Sequence, residues 1–140
     1  MFNRISHIGI AVKDIDAAIA LYEGMGARLL ARRTAKNGTT SLAMLDLGGD
    51  LIEPISPLSD DTPLARFIQE HGEGLHHVAY EVSNIDSTIR DLKDAGFDAM
   101  DEESRPGFGG HGGYQIAFVR SKRCMGAIWE LVDGEFSVVD

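Results

Sequence analysis

Apolar and polar residues alternate along two stretches of the chain, and each stretch contains a histidine near its start. In Ile5–Val12, one face carries His7 followed by two small residues, and the other face is apolar. Leu75–Val82 has His77 in the corresponding place. Alternation with a period of two predicts a β-strand whose apolar face packs on a helix. The small residues beside His7 leave room either for a ligand or for close packing.

The two stretches belong to a repeat with a constant offset. His7 and His77 lie 70 positions apart, and at the same offset Asp14–Ile19 matches Asn84–Ile89 and Gly26 matches Gly96. An offset that holds across a strand, a helix start and a helix end indicates a duplicated structural unit. Two copies would bring two equivalent histidines into one protein.

Each copy is predicted to run strand, helix and then three strands. The pattern places the first copy at residues 5–58, a bridging helix at 63–71 and the second copy at 74–133, within a single domain spanning residues 1–140. After its helix, the first copy has predicted strands at 27–34, 40–47 and 50–55, and the second at 97–100, 114–119 and 127–132. Pro54 and Pro57 are expected to end the strand that begins at Asp50.

Neither copy is long enough to bury a large core alone. The predicted fold is therefore α+β, with two tandem βαβββ modules that form a curved, half-open mixed sheet with the helices outside.

Composition excludes several classes of partner. The net charge of -9 argues against nucleic acid and against anionic membrane surfaces. No apolar run approaches the ~20 residues that span a bilayer. The single cysteine, Cys124, cannot form an intramolecular disulfide, and the first residues lead into a strand rather than a signal peptide. A reducing, cytoplasmic setting is expected.

Equivalent strands of the two copies carry chemically similar side chains. His7 and His77 lie on the first strands, and Asp50 and Glu130 lie on the last strands at an offset of 80, because the second copy has longer loops. Two imidazoles and two carboxylates suit a divalent metal with open positions, and the candidates are Co, Mn, Zn, Ni and Fe. Glu53 is expected to point to the opposite face from Asp50.

Four stretches resemble the vicinal oxygen chelate superfamily, which includes glyoxalase I, and within it the methylmalonyl-CoA epimerases. The resemblance covers nearly the whole chain, and the segments that carry it are Ile5–Asp14, Pro63–Val82, Asp101–Gly107 and Gly126–Leu131. The histidine motif of the first segment is common to the superfamily. The second and third segments are similar to the epimerase branch in particular.

The resemblance implies a metal site and a reaction. His7, His77 and Glu130 match the first, third and fourth ligands, and Asp50 stands where the family usually has Glu or Gln. The implied reaction inverts the α carbon of methylmalonyl-CoA, or a related 2-substituted acyl-CoA, through an enolate stabilised by the metal. Glu130 is the expected base. The family's second catalytic carboxylate has no match, and Thr39–Ser41 stand in its place.

The resemblance also implies binding partners. An acyl-CoA substrate needs local cations, and the basic turn is the first candidate for binding it, through Arg120, Lys122 and Arg123. A second basic cluster contains Arg28, Arg32 and Arg33. A homodimer is expected, with Trp129 in the core or at an interface.

Two other functions remain open. One is a different metalloenzyme of the superfamily, such as an isomerase or lyase that resembles glyoxalase I. The other is a metal-free protein of the same fold that binds small molecules. The short side chain of Asp50 at an expected ligand position favours considering this last alternative.

Overall fold

The computed structural model describes residues 1–140, which divide into two compact units. The N-terminal unit comprises His7–His76, and the C-terminal unit comprises His77–Asp140 together with Met1–Ser6. The strands are β1 (Phe2–Ala11), β2 (Arg28–Thr34), β3 (Thr40–Leu47), β4 (Asp50–Pro57), β5 (Gly74–Val82), β6 (Arg105–Pro106), β7 (Gln115–Val119) and β8 (Ile128–Asp133). The helices are α1 (Ile15–Gly24), α2 (Pro63–His71) and α3 (Ile85–Asp94).

The N-terminal unit contains a mixed sheet in the order β2-β3-β4-β1. β1 and β4 are parallel, and the other neighbours are antiparallel. The side chain of Asp14 caps α1 by accepting a hydrogen bond from the Ala17 amide. α1 packs on the sheet through a core that contains Ala43 and Leu45 of β3. Because side chains alternate along a strand, Leu42 lies on the opposite face of the sheet from α1.

The C-terminal unit repeats this arrangement with the order β5-β8-β7-β6. β5 and β8 are parallel, and Asn84 caps α3 as Asp14 caps α1. The buried core against α3 consists of Val82, Ile85, Ile89, Ala117, Val119, Cys124 and Leu131. Burial raises the pKa of the Cys124 thiol above its ordinary value. Since Leu131 belongs to this core, its neighbour Glu130 lies on the opposite face of β8.

The first residues of the chain belong to the C-terminal unit. The Phe2 ring stacks on Tyr80 with the ring centroids 4.9 Å apart, and it meets Trp129 edge-on at 5.4 Å. Phe97 completes this aromatic group beside the α3 core. Trp129 therefore packs at the margin of the core.

The α+β class and the order of elements are confirmed, because each copy has a strand, a helix and three strands. α2 covers the range predicted for the bridging helix, with Thr62 as its cap and Pro63 in its first turn. None of the helices is both long enough and apolar enough to cross a bilayer.

Two predicted strand boundaries were wrong. Residues 97–100 do not form a strand, because Ala99 has a positive φ of 50° and Met100 makes only an isolated bridge to Val119. The two-residue strand β6 is instead the second strand of this copy. β4 also continues through Pro54, which occupies a position in the parallel ladder opposite Ile10. The proline removes one amide donor without ending the strand.

Candidate functional site

The N-terminal unit contains a buried pair of ionisable side chains, His7 and Glu53. Gly9 is the partner of Glu53 in the β1–β4 ladder, so Glu53 and His7 lie on the same face of the sheet. His7 Nε2 lies 3.8 Å from Glu53 Oε1. The residues are only 1% and 4% exposed. This is the face that α1 leaves open.

The C-terminal unit contains an equivalent pair, His77 and Glu130. Ala79 is the partner of Glu130 in the β5–β8 ladder, and His77 Nε2 lies 3.0 Å from Glu130 Oε2. The two residues are 2% and 3% exposed. The ring of Phe118 meets the His77 ring edge-on, with the centroids 5.7 Å apart. This pair also lies opposite the helix-covered face.

The structure pairs Glu53 with His7 and places Asp50 elsewhere. Asp50 is exposed at the first position of β4, where it pairs with Leu47. The register of β1 with β4 makes Glu53 the counterpart of Glu130, because Gly9 and Ala79 are themselves equivalent in the repeat. The predicted equivalence of Asp50 with Glu130 was therefore wrong. Glu53 does lie on the opposite face of β4 from Asp50, as expected, but Glu53 is the residue that shares the face of His7.

A pattern in the sequence could have identified Glu53. Both last strands contain two apolar residues followed by glutamate, Leu51-Ile52-Glu53 in one copy and Ile128-Trp129-Glu130 in the other. Matching these triplets, rather than the acidic residues at each strand's start, gives the register that the structure contains.

Each pair is chemically suited to ligate a cation. A buried carboxylate is unfavourable unless a positive charge or hydrogen bonds compensate it. A protonated histidine could provide this charge within each pair. Alternatively, a neutral imidazole nitrogen and a carboxylate oxygen are both ligands for transition metals. Each unit therefore contributes two potential ligand side chains from adjacent parallel strands.

The three residues predicted to bind substrate have different surroundings. The guanidinium carbon of Arg120 lies 4.9 Å from the centroid of the Phe118 ring. Arg123 Nε instead donates to the Gly96 carbonyl at 3.0 Å, which fixes the turn after α3. Lys122 is exposed in a short 3-10 turn.

Arg105 was not singled out from the sequence, although the stretch that contains it was. Its guanidinium carbon lies 5.3 Å from the Phe118 centroid, and its Nη1 donates to Asp101. Arg105 and Arg120 thus share an aromatic neighbour. The pairing of β6 with β7 brings Arg105 to the same side as Phe118. The sequence pattern placed the second strand of this copy at residues 97–100, so it did not predict this pairing.

The second basic cluster is occupied by local contacts. Arg28 pairs with Asp46 at 3.4 Å, Arg32 pairs with Asp16 of α1, and Arg33 donates to the Arg32 carbonyl. These interactions connect β2 to its neighbours. Nothing in them distinguishes the cluster as a substrate site.

Comparison with known proteins gives concordant relatives. Residues 6–118 match the Glyoxalase/Bleomycin resistance protein/Dioxygenase superfamily. The chain is 33% identical to human mitochondrial methylmalonyl-CoA epimerase over 92% of its own length and 73% of the relative. It is 32% identical to an ethylmalonyl-CoA/methylmalonyl-CoA epimerase of Cereibacter sphaeroides, over 94% of this chain and 98% of that one.

The fold is also that of a solved structure. A Streptomyces coelicolor methylmalonyl-CoA epimerase variant in complex with 2-nitronate-propionyl-CoA superposes with a TM-score of 0.87. The comparison covers 100% of this chain and 99% of that chain, at 28% identity. The α+β fold predicted from the repeat, which the resemblance identifies as glyoxalase-like, is confirmed.

Proposed function

Because this chain belongs to the glyoxalase/bleomycin resistance protein/dioxygenase superfamily, we propose that it is a metal-dependent epimerase of methylmalonyl-CoA or a related 2-substituted acyl-CoA. Its relatives of known activity identify it as an epimerase-like isomerase. The observation that carries the proposal is the duplication of one buried histidine–glutamate pair, once in each unit.

We propose that His7, Glu53, His77 and Glu130 together hold one divalent ion. All four side chains are buried, and they supply two imidazole nitrogens and two carboxylates. Two ionised carboxylates carry a charge of -2, which a divalent cation neutralises while both histidines stay neutral. This donor set is compatible with Co, Mn, Zn, Ni or Fe. Glu53 replaces Asp50 in the set, because Asp50 is exposed and does not meet His7.

The same geometry weakens the proposal of a metal-free binding protein. That alternative depended on a short aspartate at an expected ligand position. Glu53 supplies the longer carboxylate on the correct face of β4.

In the proposed reaction, the Glu130 carboxylate removes the α proton of the acyl thioester. When bound, the divalent ion supplies positive charge that stabilises the developing enolate oxygen. The burial of Glu130 excludes water from the carboxylate and thereby favours proton transfer from carbon. The Nε2 atom of His77 fixes the position of the carboxylate from 3.0 Å away.

The proton that completes the inversion comes from the other face of the substrate. On β3, the residues that share the face of Glu53 include Thr40, Leu42 and Asp46, since they pair with Pro57, Ile55 and Leu51 of β4. Asp46 is the one carboxylic acid among the three, and it pairs with Arg28 and accepts a hydrogen bond from the Gly49 amide. We therefore assign the returning proton to none of these three residues.

Three further features of the proposal are carried from the sequence. We propose an acyl-CoA as the bound substrate, a cytoplasmic setting and a homodimer as the functional form. The acyl-CoA is favoured by the substrates in the relatives' names. The other two stay predictions.

Solvent deuterium exchange tests the proposed activity. Metal-loaded protein in D₂O is expected to place deuterium at the α carbon of methylmalonyl-CoA, as measured by mass spectrometry. Glu130→Gln removes the base, so its exchange rate is expected to fall by about 10³-fold. An absence of exchange with the wild-type protein would reject the proposal, whereas equal exchange by Glu130→Gln would reject the role of Glu130.

A further inference from the structure

Two arginines of the C-terminal unit are held against one aromatic ring, and we infer that they bind an oxyanion of the ligand. We call Arg105 and Arg120 the arginine pair. The inferred ligand group is a phosphate or a carboxylate of the acyl-CoA. The choice of acyl-CoA rests on the proposed function, whereas the anion site rests on the contacts of the pair itself.

The arginine pair belongs to the face of the sheet that carries His77 and Glu130. Phe118 of β7 is the ladder partner of Glu130, and Arg105 of β6 is the partner of Ile116. Paired residues of antiparallel strands share a face, and so do residues two apart on one strand. The residues of β7 that pack against α3 are Ala117 and Val119, which point the other way. The pair therefore stands on the open face.

Contacts within the unit orient both guanidinium groups before any ligand binds. The Asp101 carboxylate accepts from Arg105 Nη1 and from the Phe118 amide, the latter at 2.8 Å. Its second oxygen lies 4.0 Å from Arg120 Nη1. Both guanidinium groups also lie over the Phe118 ring. Such cation–π contacts restrict long side chains that would otherwise sample many rotamers.

The positive charge of this cluster is not fully neutralised. Two guanidinium groups face one carboxylate, which leaves one positive charge in a chain with a net charge of -9. The side chains of Arg105 and Arg120 are 50% and 49% exposed. Each guanidinium has five N–H donors in a planar fork that matches phosphate or carboxylate oxygens. An oxyanion would therefore complete both the charge and the hydrogen bonding.

Phe118 connects the pair to the proposed reaction centre. The same ring that supports the two arginines meets the His77 ring at 5.7 Å. An anion bound by the pair would thus lie one aromatic ring away from His77 and Glu130. This position suits a charged group of the same molecule whose α carbon lies at Glu130.

Calorimetric titration of the full-length protein tests the inference. We expect Arg105→Gln and Arg120→Gln each to weaken binding of malonyl-CoA about tenfold, since each removes a charged hydrogen-bonding partner. Arg90→Gln makes the same charge change on the exposed side of α3 and is the matched control, with an expected change of less than about twofold. Circular dichroism verifies folding, and Arg105→Lys, which keeps the charge without the fork, is expected to recover part of the affinity.

Two further probes distinguish the source of the oxyanion. If the pair binds a coenzyme phosphate, free coenzyme A loses affinity in both variants as malonyl-CoA does. If the pair binds the acyl carboxylate, the loss appears with malonyl-CoA and is absent with acetyl-CoA. The inference is overturned if both glutamine variants bind malonyl-CoA and coenzyme A as the Arg90→Gln control does.

The binding assay separates this inference from the proposed reaction. Wild-type exchange activity together with unaffected binding in the arginine variants would remove the anion site alone. Tight wild-type binding that depends on the arginine pair, without any exchange at the α carbon, would remove the epimerase and leave the anion site in place.

Discussion

At the scale of single residues, two glutamates decide the chemistry proposed for this chain. Glu53 and Glu130 are buried to the extent normally found for apolar side chains, and each lies beside a buried histidine. Such carboxylates are retained where a charge partner is present or is bound. The duplication of the arrangement in both units argues for a common ligand rather than two unrelated ion pairs.

Substitution of the two acidic residues of β4 tests which one is a ligand. We expect Glu53→Ala to lower the affinity for Mn²⁺ or Zn²⁺ by about 100-fold or more, because a carboxylate ligand is lost. Asp50→Ala, on the same strand, is the matched control and is expected to leave metal affinity unchanged. Competition with a fluorescent chelator measures both. If Asp50→Ala lost metal affinity and Glu53→Ala retained it, Asp50 rather than Glu53 would be the ligand.

The sequence pointed to three of the four proposed ligands. The repeat singles out His7 and His77 because the strands and helix starts around them share one offset. Glu130 follows from the last strand of the second copy. The loops differ in length between the copies, so the offset of 70 between the first strands does not apply to the last strands. The sequence alone therefore does not decide whether Asp50 or Glu53 is the counterpart of Glu130. Only the ladder register fixes which carboxylate shares a face with His7.

At the scale of elements, local signals predicted most helices and strands. Caps at Asp14, Thr62 and Asn84 begin the three helices, and α2 covers the predicted range 63–71. The failures lie where side chains override local preference. The Asp101 carboxylate accepts hydrogen bonds from the Phe118 amide and from Arg105. The residues around Asp101 therefore form an irregular connection instead of a strand. Such long-range bonds have no local pattern in the sequence.

The loop between β6 and β7 offers a test of packing at this scale. A Cβ at Gly107 would lie 2.2 Å from the Tyr114 ring, whereas a Cβ at Gly24 would have no heavy atom within 4 Å. Gly107→Ala is expected to lower the free energy of unfolding by about 1–3 kcal/mol through overpacking. Gly24→Ala, at the end of α1, is expected to be neutral or to stabilise by up to about 1 kcal/mol.

Urea denaturation of both alanine variants measures these changes. Equal stability of the two variants would mean that Tyr114 does not pack over Gly107 in solution. A destabilised Gly24→Ala would likewise contradict the open surroundings of that position.

At the scale of the whole molecule, duplication accounts for the composition of the proposed ligand set. Each unit brings one histidine and one glutamate on adjacent parallel strands, and each covers the other face of its sheet with a helix. The proposed site needs both units, since neither offers more than half of the four ligands. The acidic charge of the chain is locally reversed at the arginine pair, where the proposed substrate's anion would bind.

The number of metal ions per chain tests the shared site most directly. Purified protein loaded with Mn²⁺ or Zn²⁺ and dialysed is analysed by mass spectrometry, with His7→Ala and His77→Ala prepared alongside. If the two histidine–glutamate pairs share a single ion, the wild-type protein contains one metal ion per chain and each variant contains almost none. Two ions per wild-type chain, or one ion retained in either variant, would contradict the account.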